Sequence, residues 1–140
     1  MTLYLESPRL ILRPFQDSDL EAFLVYRNDP EVAQYQGWDV PYPREKGLQF
    51  IDLMKTSNPI SQGEWYQVAV ELKSTGGLIG DVAFCTMVSD EKQALMGYSL
   101  ARPYWHNGYA FEAVGRLLQY LFDERGLHRV DHAFAPRFVA

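Results

Sequence analysis

The sequence predicts an α/β fold (in the looser sense, α+β): a mixed central sheet with helices on its faces. Three observations carry this. Three strand-like runs follow one another between residues 65 and 100, separated only by turns. The apolar period is helical on both sides of that block. A further strand-like run follows the last helix, so the chain ends on a strand–helix–strand unit expected to form a right-handed parallel crossover. At 140 residues the prior is one domain over 1–140. With 47% hydrophobic residues, disorder as the default state is excluded.

The element order is β-α-α-β-β-β-α-β. Residues 9–13 (Arg-Leu-Ile-Leu-Arg) read as a strand stopped by Pro14. Asp17, Ser18 and Asp19 cap a helix whose apolar positions Leu20, Phe23, Leu24 and Tyr26 hold helical spacing up to Asn28-Asp29-Pro30. An aromatic, turn-rich stretch from Tyr35 to Pro43 follows. Pro43 opens a second helix through Leu48, Ile51 and Met54, ended by Asn58-Pro59.

The period then changes to strands at 65–72, 78–85 and 94–100, with hairpin chemistry at Ser74-Thr75-Gly76-Gly77, as in an antiparallel meander. Ala110, Val114, Leu117, Leu118, Leu121 and Phe122 then line one face of a helix that Gly126 terminates. The last strand is expected over 128–134.

Thirteen Lys and Arg against 18 Asp and Glu give a net charge of −5, which argues against a nucleic-acid surface or an anionic membrane and for cationic partners such as amines. No stretch approaches the ~20 apolar residues of a membrane helix. The N-terminus lacks the basic-then-apolar layout of a secretion signal. Cys85 is the only cysteine, so no internal disulfide can form, which suits a reducing compartment; a cytoplasmic protein is expected.

Chemistry concentrates between the third meander strand and the last helix, over Leu100-Ala101-Arg102-Pro103-Tyr104-Trp105-His106-Asn107-Gly108-Tyr109-Ala110. A strand, a glycine-bearing loop and a helix start present unpaired N–H groups and the positive end of a helix dipole to an anion such as phosphate. The spacing is neither G-x-G-x-x-G nor a P-loop, and an ordinary strand-to-helix turn has the same local signature.

In order along the chain, the sequence resembles the GNAT superfamily of N-acetyltransferases, and most closely its RimJ/RimL-like group, which acetylates protein N-termini and related amines. The residues that carry the resemblance are Ser7-Pro8-Arg9-Leu10-Ile11-Leu12-Arg13-Pro14, Asn28-Asp29-Pro30-Glu31-Val32, Leu78-Ile79-Gly80-Asp81, Gly97-Tyr98-Ser99-Leu100, Tyr104-Trp105-His106-Asn107-Gly108-Tyr109-Ala110-Phe111-Glu112-Ala113 and Gly126-Leu127-His128-Arg129-Val130. The resemblance implies acetyl-CoA as co-substrate. Backbone groups of Leu100 and Ala101 would meet the pantetheine arm where two parallel strands splay apart. Backbone N–H groups of His106, Asn107, Gly108, Tyr109 and Ala110 would hold the pyrophosphate. Glu112 and Ala113 would serve the helix's structural register.

Acetyl transfer to an amine requires loss of a proton from a group of pKa ~10.4, a donor for the oxyanion, and a proton for the leaving thiolate. Asp81 ranks first as general base, ahead of Glu64 and Glu71; a solvated strand-edge carboxylate is the open alternative. The oxyanion donor is expected from a backbone N–H near Tyr98–Leu100. Tyr98 is the candidate hydroxyl, with a core position as its alternative. His128 and His132 are four apart on a strand and His106 is elsewhere, so no metal site is expected. Cys85 reads as a buried, inert thiol, which implies direct attack by the amine. Tyr35, Trp38 and Tyr42 line an acceptor groove or cover the sheet.

The resemblance also implies a further helix and strand after the last one, and these are expected to be missing; Phe138 stands where the family pattern has asparagine. Two functions follow: an N-acetyltransferase acting on a protein N-terminus or small-molecule amine, or a truncated, non-catalytic CoA-binding or interaction module. An uncovered last strand is expected to support a homodimer through its edge.

Overall fold

Strands β1 (Leu5–Glu6), β2 (Leu10–Arg13), β3 (Trp65–Leu72), β4 (Gly77–Thr86), β5 (Gln93–Leu100) and β6 (Arg129–His132) lie side by side in chain order in a single sheet. The computed structural model describes residues 3–34 and 36–132. The first five strands are antiparallel to their neighbours, and β6 runs parallel to β5, as the crossover requires. Helices α1 (Leu20–Arg27), α2 (Pro30–Ala33) and α3 (Arg44–Thr56) belong to one face and α4 (Tyr109–Gln119) to the other. The predicted mixed sheet with flanking helices is therefore the observed architecture.

Strand alternation makes two cores. Leu10, Leu12, Val68, Val70, Val82, Phe84, Met96 and Leu100 point toward α4 and meet Ala110, Ala113 and Leu117. On the opposite face Ala69 and Leu78 pack with Phe15, Phe23, Tyr26, Ile51 and Met54. Each fully buried Leu, Ile or Phe contributes roughly 1.5–3 kcal/mol, so the sheet is held from both sides. Buried Arg13 adds a closed ionic knot: its guanidinium donates to both oxygens of Asp19 at 2.9 Å and to Glu71 Oε1 at 2.7 Å.

The meander strands match their sequence periods to within a residue. Four departures have local causes. β1 was not expected; two residues carry no period, and it exists because Leu5 pairs with Leu12. Asn28-Asp29-Pro30 reads as a stop but is also a start: Asp29 Oδ1 accepts the Glu31 N–H at 3.0 Å, with Pro30 in the first turn of α2. The end of α4 widens into a π-helical turn over Tyr120–Glu124, with the Arg125 N–H donating to the Tyr120 carbonyl. The widened turn leaves Phe122 at 40% exposure, while Leu121 and Leu127 stay buried. The last strand begins at Arg129, and residues 133–140, including Phe134 and Phe138, lie outside the described residues.

A bulge sets the position of the site. Val70 faces Gly80, yet Glu71 faces Leu78, so Ile79 is the extra residue on β4. Gly80 stands beside this bulge, and a Cβ there would overlap the Ser99 carbonyl oxygen of β5. Gly80→Ala is expected to push β5 off β4 and cost roughly 1–3 kcal/mol or more, measured as a lowered urea midpoint at unchanged slope.

Candidate active site

β5 pairs with β4 along its whole length, but with β6 only from Gln93 to Met96. The Ala101 N–H donates to the Ile79 carbonyl at 2.8 Å, and the alternation of an antiparallel ladder then turns the N–H and C=O of Tyr98 and Leu100 away from β4. Side chains take both carbonyls. Gln36 Nε2 donates to the Tyr98 oxygen at 2.9 Å, and Trp105 Nε1 to the Leu100 oxygen at 2.7 Å. Ala101 is engaged on both sides, since its carbonyl accepts the Tyr104 N–H. Of the two residues expected to meet a pantetheine arm, Leu100 has its N–H turned away from β4, whereas the Ala101 N–H is used within the sheet.

After a short 3-10 turn over Arg102–Tyr104, His106 (φ 66°) and Gly108 (φ 79°) both adopt the left-handed conformation. Among the described residues, the N–H groups from His106 to Phe111 donate to no carbonyl outside the helix; Glu112 is the first to bond, to the Gly108 carbonyl. Orphan donors at a helix start are the chemistry that an anion would need. The loop is clasped from below. Glu112 Oε2 accepts from Ser7 Oγ at 2.5 Å and the Arg9 N–H at 2.8 Å, and Oε1 accepts from Arg9 Nε at 2.7 Å. Arg9 Nη1 donates to the Asn107 carbonyl at 2.9 Å, and the guanidinium lies 4.5 Å from the Tyr109 ring centre. Glu112 has the structural role expected of it, whereas Arg9 was read only as a strand residue. Its signal was faint: a single arginine beside Pro8.

On the other face a cavity of about 180 Å³ opens beside β5, lined by Arg27, Trp38, Trp65, Gln67, Asp81 and Ser99 among others. Asp81 is 3% exposed. Tyr26 Oη donates to its Oδ2 at 2.5 Å and Gln67 Nε2 to its Oδ1 at 3.3 Å, while Arg27 Nη2 stands 3.9 Å from Oδ2. Burial pushes the Asp81 carboxyl above the usual range, against the opposing pull of Arg27, Tyr26 and Gln67. Asp81 is thus no solvated edge carboxylate. Trp38 lines the cavity, its Nε1 donating to the Arg27 carbonyl, while Tyr42 is buried in the core; Tyr35 lies outside the described residues.

The remaining candidates separate. Asp81 faces Ser99 across the ladder, so Tyr98, one residue along, sends its ring to the α4 face, edge-on to His132 at 6.2 Å between centres. Asp81 and the Tyr98 hydroxyl do not share a face. Glu71 is committed to Arg13, and Glu64 is exposed at the start of β3. Cys85 is buried, its thiol pushed up by burial and then by Glu64, as an inert thiol should be. Among the described residues, no three His, Cys, Asp or Glu side chains gather where a metal could bind, and no helix is long and apolar enough to cross a membrane. Arg27 was missed altogether, although it occupies an apolar-stripe position four residues after Phe23.

Comparison with known proteins supplies the family. Residues 9–137 match the model of the acetyltransferase (GNAT) domain. The chain is 30% identical over 127 residues to the uncharacterized N-acetyltransferase YoaA of Bacillus subtilis (strain 168), covering 90% of this chain and 70% of YoaA. It is 32% identical over 136 residues to the uncharacterized N-acetyltransferase p20 of Bacillus licheniformis, covering 96% of this chain and 74% of p20. Among solved structures, a candidate ribosomal-protein-serine acetyltransferase from Vibrio cholerae superposes with a TM-score of 0.79 at 25% identity, over 98% of this chain and 76% of the other.

The clasp beneath the loop titrates. Burial acts to raise the Glu112 carboxyl, but hydrogen bonds from Ser7 and Arg9 outweigh it and hold the group below its ordinary value. A depressed carboxyl contributes stability that is complete above the unfolded value, ~4.3, and is lost as pH falls through the lower folded value. Glu112→Gln should therefore lower Tm at neutral pH, and the gap to the unaltered protein should close below about pH 4. Thermal unfolding of both proteins from pH 3 to 7 checks this.

Proposed function

The chain belongs to the acetyltransferase (GNAT) family, whose members move an acetyl group from acetyl-CoA to an amine, and we propose that here the two substrates meet at the second half of β5, one from each side of the sheet. The observation that carries this reading is the buried Asp81 carboxylate, in a cavity that reaches the same strand whose Leu100 N–H is turned off the ladder.

The residues fit the co-substrate. Left-handed Gly108 and the orphan donors of residues 106–110 suit a pyrophosphate, and Leu100 suits the strand-like arm. When bound, acetyl-CoA supplies the acetyl group as an activated thioester. The chain's own residues do the rest. The cavity orients the amine toward β5. Asp81 accepts its proton, directly or through a water, with a carboxyl that burial has brought nearer to the working pH. The N–H groups on the outer side of β5 supply the direction from which an oxyanion is stabilised. Tyr98 contributes through its place on that strand, not through contact with Asp81. Cys85 is buried and Glu64 acts to raise its thiol rather than activate it, so the amine nitrogen attacks the thioester carbonyl directly, the C–N bond forming as the C–S bond breaks and the CoA thiolate leaves.

The same proposal covers the coarser context. The acceptor is a primary amine, on a small molecule or a protein N-terminus. Residues 1–140 act as one acetyltransferase domain, in the cytoplasm. Among the described residues β6 has a neighbour on one side only, which supports pairing of its other edge with a second copy of the chain.

Asp81→Asn is expected to lower kcat by about 10²–10⁴-fold while CoA affinity stays unchanged; an equal loss of CoA binding would move Asp81 out of the acceptor site. The complementary variant is Gly108→Val. A branched side chain at φ +79° is strained, and its Cβ would come within 3.3 Å of Arg9 Nη2. Calorimetry should show CoA binding abolished in Gly108→Val, and equal affinity would remove the loop from the site.

A further inference from the structure

We infer that Arg27 and Asp81 together form a site for a small zwitterion, so that the amine accepted by this chain is that of a free α-amino acid. The inference rests on the reading that the cavity beside β5 takes the acceptor, and it adds the substrate class.

Arg27 ends α1 with its side chain 8% exposed. Four aromatic rings surround the guanidinium, with centres 3.8 Å (Trp38), 4.6 Å (Phe23), 5.3 Å (Phe50) and 5.5 Å (Tyr42) away. Ring faces attract a cation but accept no strong hydrogen bond. Among the described residues its guanidinium donates no hydrogen bond, and Nε is fully buried without a partner. The nearest acid, Asp81, stops at 3.9 Å. A guanidinium carries five donors in a planar fork that matches a carboxylate. Leaving such a group desolvated and unbonded is costly, and Arg27 lines the cavity. The missing acceptor is an oxygen anion.

Asp81 supplies the complementary half. Among the described residues it is the only acid lining the cavity, and Tyr26 and Gln67 fix its carboxylate without neutralising it. An ammonium placed there and a carboxylate on Arg27 would sit as close as they do in an α-amino acid. Charge balance selects the same ligand. Arg27 and Asp81 already cancel, so a net-neutral zwitterion leaves no charge uncompensated. A polyamine would bring excess positive charge against Arg27, and a peptide N-terminus would offer it only a neutral carbonyl. The cavity, at about 180 Å³, falls below the ~300–1,000 Å³ usual for drug-sized ligands. Trp38, Trp65, Ala83 and Gly97 provide an apolar wall for a side chain.

The test compares ligands on the unaltered protein, so it does not depend on a variant folding. Calorimetric titrations, with and without CoA, use L-alanine, L-serine, L-methionine, L-leucine and L-phenylalanine, the C-terminal amide of each, and spermidine. At least one free amino acid should bind about tenfold or more tightly than its amide, and spermidine should not bind. Arg27→Met, with its fold checked by circular dichroism, should erase the acid-over-amide preference; Arg27→Lys should restore part of it. Equal binding of acids and amides, binding of spermidine, no binding by any probe, or a preference that survives Arg27→Met would each overturn the inference. Acetyl transfer is measured on the same panel. Transfer without preference for the acid sinks the inference and leaves the function standing. Acid-selective binding without transfer does the reverse.

Discussion

The site follows from a strand that is paired fully on one side and only halfway on the other. β5 is laddered to β4 throughout, but the described part of β6 reaches only Met96. Backbone carbonyls beyond that point still need donors. The chain answers with two side chains from opposite directions: Gln36, from the segment after α2, and Trp105, from the loop before α4. Those two bonds tie the acceptor arm and the cofactor loop to one strand. A bidentate contact of Arg102 with Asp29 braces the same two regions a second time, since Asp29 caps α2. On the proposed reading, an acetyl donor and an amine approaching from the two faces would meet a common, doubly anchored backbone.

Most of the sheet was legible because the meander strands are apolar runs of eight to ten residues, divided by turn chemistry and, in β3 and β4, rich in β-branched and aromatic residues. Gly108 alone did not separate an anion loop from an ordinary strand-to-helix turn; what singled the loop out was its resemblance to the family pattern, and the structure adds the left-handed backbone at His106 and Gly108. What stayed hidden depends on contacts between distant residues. Arg9 gains its role only when Glu112, more than a hundred positions away, comes within 2.7 Å. Whether Asp81 was a general base or a solvated edge carboxylate stayed open, because nothing in its own strand shows that Tyr26 donates to it and Arg27 stands beside it. That Asp81 and Tyr98, two separate candidates, serve opposite faces was also hidden: their places in the β4–β5 register differ by one, which sends the side chains apart.

Two buried arginines on the α1 side show how the same residue can be structure in one place and recognition in another. Arg13 and Arg27 have nearly equal exposure, 5% and 6%. Around Arg13 four of the five donors are bonded: Asp19 takes two, Glu71 one and the Pro14 carbonyl another. Removing an acid there would strand a buried charge, so the cluster is a closed unit with little left to offer a ligand. Arg27 is equally desolvated, yet its surroundings are rings, and its one acid is held at 3.9 Å by commitments to Tyr26 and Gln67. Aromatic contacts offset part of the desolvation but leave the hydrogen-bonding capacity unused. A fold that needed only a filled core could have placed leucine or methionine at the end of α1 at no such cost. The arrangement makes physical sense when an oxygen anion completes it, and the cavity beside β5 is where that anion would enter.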